Sequence, residues 1–306
     1  MDVLREIDVN KNLAVALGFF DGIHLGHKKI ITTLVHEAQA RGIESAVITF
    51  EKNPANYFNE TETPCIQSFK DKEILLEALG VDYLYELDFE QYKELSAENY
   101  LEDVLVKNFS PKLVVVGYNH TFGKDKSGNS AFLQNNSSKY NYECIVIPEQ
   151  KTTSGFTVSS SEIRENVKKG NLPAIKPMLG RNFSVRNSVI KGNKMATSLG
   201  YPTANIIWPD SMVKLPYGVY FGFTQLKNKI QPTLISWGVR PTLTDGKTEM
   251  IEAHIYDFNE NLYGKIISVI FSKKLRPEET FANAAQLKNK IRADYAEFQK
   301  WAKSLL

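Results

Sequence analysis

Cysteine is almost absent from this 306-residue chain; Cys65 and Cys144 are the only two. A disulfide scaffold or a thiolate metal site needs more of them, at closer spacing. Two thiols far apart in sequence fit a reducing compartment, so a cytoplasmic location is expected. Long apolar runs are also missing. Runs such as Leu13–Leu17, Leu113–Val116 and Val269–Phe271 fall far short of the ~20 residues that span a bilayer. Charged residues come early, at Asp2, Arg5, Glu6 and Asp8, so no signal peptide and no membrane partner are expected. No strong net charge is present either: 37 Lys+Arg face 35 Asp+Glu, for +2. With 42% hydrophobic and 24% charged residues, disordered and collagen-like chains are excluded.

The small net charge hides a split. Residues 1–180 carry 19 Lys+Arg and 25 Asp+Glu, a balance of −6, whereas residues 181–306 carry 18 and 10, a balance of +8. A basic second half fits phosphate ligands or nucleic acid, and it equally fits solvated lysines on exposed faces. It has no evident recognition helix and no basic stripe interleaved with aromatics, so a nucleic-acid-binding regulator is the remote reading. The length fits two domains.

In the first half, strand-like and helix-like segments alternate. Strands are expected at Leu13–Leu17, Glu44–Phe50, Val81–Leu87, Lys112–Gly117 and Cys144–Pro148. Helices are expected at Lys28–Gln39, Ile74–Leu79 and Ala97–Asn108. Continuous apolar strands in this βαβα order predict a parallel sheet with helices on both faces. The second half has shorter segments of period two, at Tyr217–Thr224, Thr233–Trp237, Glu252–Tyr256 and Ile266–Phe271. Asp245-Gly246 is a hairpin signal between two such runs. A small antiparallel barrel is expected there. Leu287, Ile291, Tyr295, Phe298, Ala302 and Leu305 then predict a closing helix with one apolar face. Gly170–Pro173 and Pro177 break periodicity and mark a boundary near Gly170–Arg181.

One constellation stands out between the first strand and the first helix: Gly18-Phe19-Phe20-Asp21-Gly22-Ile23-His24-Leu25-Gly26-His27. Ligands of open parallel sheets bind just past the carboxyl ends of strands. The glycines permit close backbone approach, and the following helix offers free N–H groups and a positive dipole end. His24 and His27 can face one pocket, which favours phosphate handling over a structural pair or a partial metal site.

This segment resembles the GxFDGxHxGH signature of the FAD synthetase (FMN adenylyltransferase) domain of bacterial bifunctional riboflavin kinase/FAD synthetase proteins. Three further stretches agree in order: Phe50-x-x-x-Pro54; Val115 to Gly123, with Gly128 after it, against VVGxDFxFGxxxxG; and Val158 to Arg164 against ISSTxIR. The resemblance implies a Rossmann-like nucleotidyltransferase domain over residues 1–176 that joins the FMN phosphate to the α-phosphate of ATP. It implies His24, His27 and Arg164 as catalytic residues. Gly18, Phe19, Phe20, Asp21, Gly26, Asn119, Phe122, Ser159, Ser160 and Ser161 would bind nucleotide or flavin, and Mg²⁺ would complete the site. The family often has Asp-Phe where this chain has Asn119-His120.

Residues 181–306 resemble the family's riboflavin kinase domain. Leu199 to Asn205 resembles GFPTAN, with Tyr201 for Phe, and Ile251 to Phe258, followed by Leu262-Tyr263-Gly264, resembles VExHIxDF…LYG. Pro216-Tyr217-Gly218-Val219-Tyr220 and Leu275-Arg276-Pro277-Glu278 also fit. The resemblance implies Thr203 and Asn205 on ATP, with Thr203 on Mg²⁺, Glu252 as base toward the riboflavin 5′-hydroxyl, and Arg276 near the flavin. Two departures stand against this. The family's Gly-Arg turn is replaced by Met195-Ala196-Thr197-Ser198, and its NIGxRPT appears as Ser236-Trp237-Gly238-Val239-Arg240-Pro241-Thr242. The sequence contains no GxxxxGKS/T loop as a substitute. An intact adenylyltransferase with a weakened or lost kinase is therefore expected; a chain that keeps both activities is the alternative.

Overall fold

The computed structural model describes residues 1–4, 12–192, 200–227, 229–241 and 247–305. The Met195–Ser198 departure and the Asp245-Gly246 hairpin signal lie outside the described residues, as do Arg5, Glu6, Asp8, Leu199 and Thr242. Residue contacts divide the chain into two units, Met1–Ser160 and Ser161–Leu306, and each is described by itself.

The first unit begins with β1 (Asp2–Leu4), β2 (Leu13–Leu17), α1 (Leu25–Arg41), β3 (Glu44–Phe50), α2 (Phe69–Ala78) and β4 (Tyr83–Leu87). A helical segment follows, with α3 (Ala97–Asn99) passing through π turns at Tyr100–Val106 into α4 (Lys107–Phe109). Then come β5 (Leu113–Gly117), a short ribbon of β6 (Thr121–Phe122) and β7 (Gly128–Asn129), α5 (Ser130–Tyr140) and β8 (Glu143–Ile147). Six strands pair in the order β1-β4-β3-β2-β5-β8, all parallel.

Every residue of β2 is buried because both faces of the sheet are covered. Leu13, Val15 and Leu17 pack with Tyr100, Leu101 and Leu133 on one side. Ala14 and Ala16 point the other way, where their small side chains admit Ile30, Ile31 and Leu34 of α1. Each of those three aliphatics contributes ~1.5–3 kcal/mol by burial. The chain runs from β2 toward β3 and later returns to β5 on the other side. That reversal makes the carboxyl ends of β2 and β5 a topological switch point, where open parallel sheets bind their ligands.

The second unit contains α6 (Ser160–Lys169, whose first residue closes the first unit), α7 (Leu172–Leu179), β9 (Phe183–Ser188), β10 (Ala204–Ile207) and β11 (Gly218–Leu226). It ends with β12 (Lys229–Pro241), β13 (Lys247–Ile255), β14 (Ile266–Pro277) and α8 (Ala284–Lys303). The strands form one antiparallel sheet in the order β10-β13-β12-β11-β14-β9. A bridge from Ile190 to Asn205 nearly closes it into a barrel. Trp208, Trp237, Phe183, Tyr220 and Phe271 fill the interior, with the two indoles 4.4 Å apart. The outer face is covered by α8, where Phe298 and Ala302 meet Phe221, Leu234 and Tyr256.

Two local expectations are corrected. The Gly170–Arg181 stretch is not merely a break, because it contains α7. Pro173 sits in the first turn, where its missing N–H costs nothing, and Pro177 removes one internal bond. The apolar stripe of α8 ends at Ala302; Leu305 lies beyond the helix and is 49% exposed.

Candidate active sites

In the first unit the Gly18–His27 turn fills the step from β2 to α1. Helix α1 starts at Leu25, three residues before the expected start at Lys28, because His24 caps it. With φ −73° and ψ 177°, His24 accepts the His27 N–H on Nδ1 at 3.3 Å, the task an N-cap oxygen usually performs. His27 therefore sits in the first turn of the helix. The two rings stack with centroids 3.6 Å apart and planes 16° apart. A Cβ on Gly26 would lie 3.1 Å from the His24 ring, so glycine lets that ring fold back. Phe20 and Ile23 both hold left-handed backbone, with φ of 54° and 37°. Such strain costs ~1–3 kcal/mol per residue and persists only where surroundings over-determine it.

The surroundings do so here. Asp21 is buried; its Oδ1 accepts the Ile66 N–H at 2.8 Å, and its carbonyl accepts Ser160 Oγ at 2.9 Å. The Gly18 N–H donates to the Ile48 carbonyl at 3.2 Å. The Phe20 ring meets His27 edge-on at 5.3 Å. Burial first, then His24 and the charge of Lys72, hold the His27 imidazole well below its ordinary pKa. His27 is thus neutral at pH 7, and its buried Nδ1 has no hydrogen-bond partner among the described residues.

Asn119 and Phe122 lie past the end of β5, the neighbour of β2, so both turns leave the same edge of the sheet. Asn119 is exposed. Phe122 packs against Tyr100 and Phe132 at 5.5 and 5.9 Å, with the His120 ring stacked on it at 5.8 Å. Burial pulls His120 down to about 4. Ser159 and Ser160 end this unit, and Ser160 already belongs to α6. Ser161 and Arg164 lie in the first two turns of α6 and fall in the second unit. Sequence reasoning missed Lys72, a buried ammonium under the motif turn. Its signal is its place one turn before Leu76 on the apolar side of α2.

In the second unit a row of directly opposed residues crosses five strands and is polar on four of them. Asn205 faces Glu252 across β10 and β13, and Glu252 faces Ser236 across β13 and β12. Ser236 faces Val219, and Val219 faces Arg276 on β14. Directly opposed residues share a face, so these side chains line up on the face that α8 covers. A bulge on β14 beside Arg276 re-aims it. Thr203, Val219, Ser236, Glu252 and Arg276 border a cavity of about 590 Å³, closed on the helix side by Ile291 and Tyr295. Thr203 also borders a second cavity of about 250 Å³ with Val189 and Phe258.

Supporting groups fix this row. Both oxygens of Asp294 on α8 take the Arg276 guanidinium, at 3.0–3.1 Å from Nε and 2.7 Å from Nη2. His254 Nδ1 lies 2.8 Å from the Pro202 carbonyl and donates to it, which steadies Thr203. Asn205 Oδ1 is buried with no partner among the described residues. Trp237, one residue past Ser236, turns its indole into the core, where Nε1–H donates to the Leu215 carbonyl at 2.9 Å. Asp294 escaped sequence reasoning, although an aspartate between Ile291 and Phe298 on one helical face was a signal.

A doubly wound parallel sheet with a histidine-capped helix at its switch point, followed by a barrel with its own polar cavity, defines a two-domain nucleotide-handling enzyme. Comparison with known proteins makes this specific. Residues 6–162 match the FAD synthetase family model and residues 179–302 the riboflavin kinase family model. A bifunctional riboflavin kinase/FMN adenylyltransferase of Buchnera aphidicola (Schizaphis graminum) is 31% identical over 96% of this chain and 95% of its own. The protein of that description from Escherichia coli K12 is 31% identical, covering 92% and 90%. The crystal structure of a Streptococcus pneumoniae protein described as a macrolide-efflux protein has a TM-score of 0.85 at 28% identity, over 98% of this chain and 99% of that one. The chain belongs to the bifunctional riboflavin kinase/FMN adenylyltransferase family. No helix among the described residues is long and apolar enough to cross a membrane.

Proposed function

We propose that this chain carries both activities, phosphorylating riboflavin to FMN at the barrel row and joining FMN to AMP at the histidine turn. Residues 181–306 carry the first step and residues 1–176 the second, in the cytoplasm, where the free thiols of Cys65 and Cys144 remain reduced. The observation that carries the two-activity reading is the row itself: Glu252 stands between Asn205 and Ser236 beside a flavin-sized cavity that also holds Arg276.

In the first step Glu252 accepts the proton of the riboflavin 5′-hydroxyl. That oxygen attacks the γ-phosphorus of ATP and ADP leaves. Arg276, held by Asp294, faces the flavin. The buried, unpartnered Asn205 Oδ1 and the neighbouring Thr203 fit Mg²⁺, which takes few protein oxygens and completes its shell with water and phosphate. When bound, the ion offsets phosphate charge.

In the second step an FMN phosphate oxygen attacks the α-phosphorus of ATP and pyrophosphate leaves. Positioning and charge stabilisation do most of the work. Neutral His27 donates its remaining N–H where negative charge grows, with His24 stacked behind it. The N–H groups at the start of α1 favour the same anion. Ser159, Ser160, Ser161 and Arg164 are assigned to the leaving phosphates, and Gly18, Phe19, Phe20, Asp21 and Gly26 to the walls of the site. Asn119 and Phe122 are assigned to the flavin.

A second reading, in which the kinase step is weak or lost, keeps two supporting observations: Ser236 replaces an asparagine in the substrate-facing row, and Met195-Ala196-Thr197-Ser198, outside the described residues, replaces the family's Gly-Arg turn. Trp237 does not add to it, because its indole is spent in the core. Product analysis with riboflavin and with FMN separates the two.

A further inference from the structure

Lys72 is used by neither step above, yet its burial is costly. It lies in the first turns of α2, where the helix dipole disfavours a cation, and it is only 3% exposed. An ammonium in such a place persists only if it is paired and hydrogen-bonded. Its Nζ donates to the Phe19 carbonyl at 2.6 Å and to Thr49 Oγ1 at 3.2 Å, and it sits 4.1 Å above the Phe19 ring. Thr49 Oγ1 donates to that same carbonyl at 3.1 Å. The titratable groups that interact with Lys72 are Asp21 on the motif turn, Cys65 ahead of α2, Glu86 on β4 and His27 in the first turn of α1.

The carbonyl so gripped precedes Phe20, the left-handed residue whose ring edges onto His27. Asp21, on the other side of Phe20, is fixed through Ile66 and Ser160. The strained turn is therefore clamped on both sides, and Lys72 is the charged half of the clamp.

We propose that Lys72 is a positioning residue for adenylyl transfer, holding the Phe19 carbonyl so that the Phe20 turn sets the His27 ring. This rests on the adenylyltransferase reading of the first unit. Its charge has a second effect, because it helps keep His27 neutral. Burial also draws Lys72 itself down to about 8, against the pull of Asp21, Cys65 and Glu86.

The test uses the full-length protein with FMN, ATP and Mg²⁺. If the unaltered protein makes no FAD, the underlying reading fails, whatever Lys72 does. If it does, Lys72→Met is expected to lower kcat ~10- to 100-fold, with KM for FMN and ATP changed by less than about threefold, the pattern of lost alignment rather than lost binding. The acidic limb of its kcat profile moves to higher pH, since His27 protonates more readily without the neighbouring charge. Lys72→Arg restores both kcat and the limb. A folded Lys72→Met with kcat within about twofold of the original overturns the proposal. So does a loss of kcat that leaves the limb in place and is not restored by arginine, because that is a packing defect. If Lys72→Met fails to fold, the alkaline side decides. In the original protein kcat falls as Lys72 loses its proton, and in Lys72→Arg that fall moves to higher pH; an unmoved alkaline limb overturns the proposal.

Discussion

Glu252 and Asn205 are direct partners across β10 and β13, so their side chains stand side by side on one face of the barrel. A carboxylate that can take a proton thus adjoins a buried amide oxygen suited to a metal–phosphate complex. In Glu252→Gln the shape is kept and the base is lost. Formation of FMN from riboflavin should fall ~100-fold or more, the scale of a lost general base, while FAD formation from supplied FMN persists. Separating the flavin products of both reactions checks this. Undiminished FMN formation in the variant assigns the base elsewhere.

His27 is neutral and has a free ring nitrogen in the first turn of α1. His27→Ala should lower kcat for FAD formation by ~100-fold or more, the cost of losing one aimed donor. An unchanged rate in a folded variant removes His27 from the chemistry.

Acid stability follows from the buried histidines. In the unfolded chain His120 protonates near 6.5, whereas burial holds it at about 4 in the fold. Below pH 6.5 the unfolded state binds more protons, so stability is full above that value and is lost as pH falls toward 4. His27 and His254 are shifted in the same direction. His120→Phe, which keeps an aromatic ring and removes the titrating group, should narrow the drop in Tm between pH 7 and pH 5. Calorimetry at the two pH values reads this directly, and an equal drop in both proteins contradicts it.

Asp294 grips Arg276 within a largely buried pair. Asp294→Ala strands the guanidinium and should destabilise the second unit by ~3–5 kcal/mol. Urea unfolding followed by the fluorescence of Trp208, Trp237 and Trp301, all in the second unit, is the measurement. A loss under about 1 kcal/mol would mean that water replaces the carboxylate without difficulty.

The sheet was legible because its strands are continuous apolar runs; Glu44–Phe50 and Leu13–Leu17 begin and end where the pattern does. Helix α5 was not foreseen, since its sequence is polar and only Leu133 is buried. Helix α7 was hidden by its two prolines, which read as breaks although the first occupies a tolerated position. At the sites, the histidines, glycines and serines were visible as motif. Lys72 and Asp294 were not, because a charged residue beside an apolar stripe reads as surface until its partner is known. Those partners, the Phe19 carbonyl and Arg276, lie 53 and 18 residues away.

The most direct measurement supplies the purified protein with Mg²⁺, ATP and either riboflavin or FMN, and identifies the flavins formed. A bifunctional enzyme gives FMN and then FAD from riboflavin, gives FAD with pyrophosphate from FMN, and stops in both cases when Mg²⁺ is chelated. FAD from FMN with no product from riboflavin contradicts the two-activity reading and leaves the barrel without its kinase step.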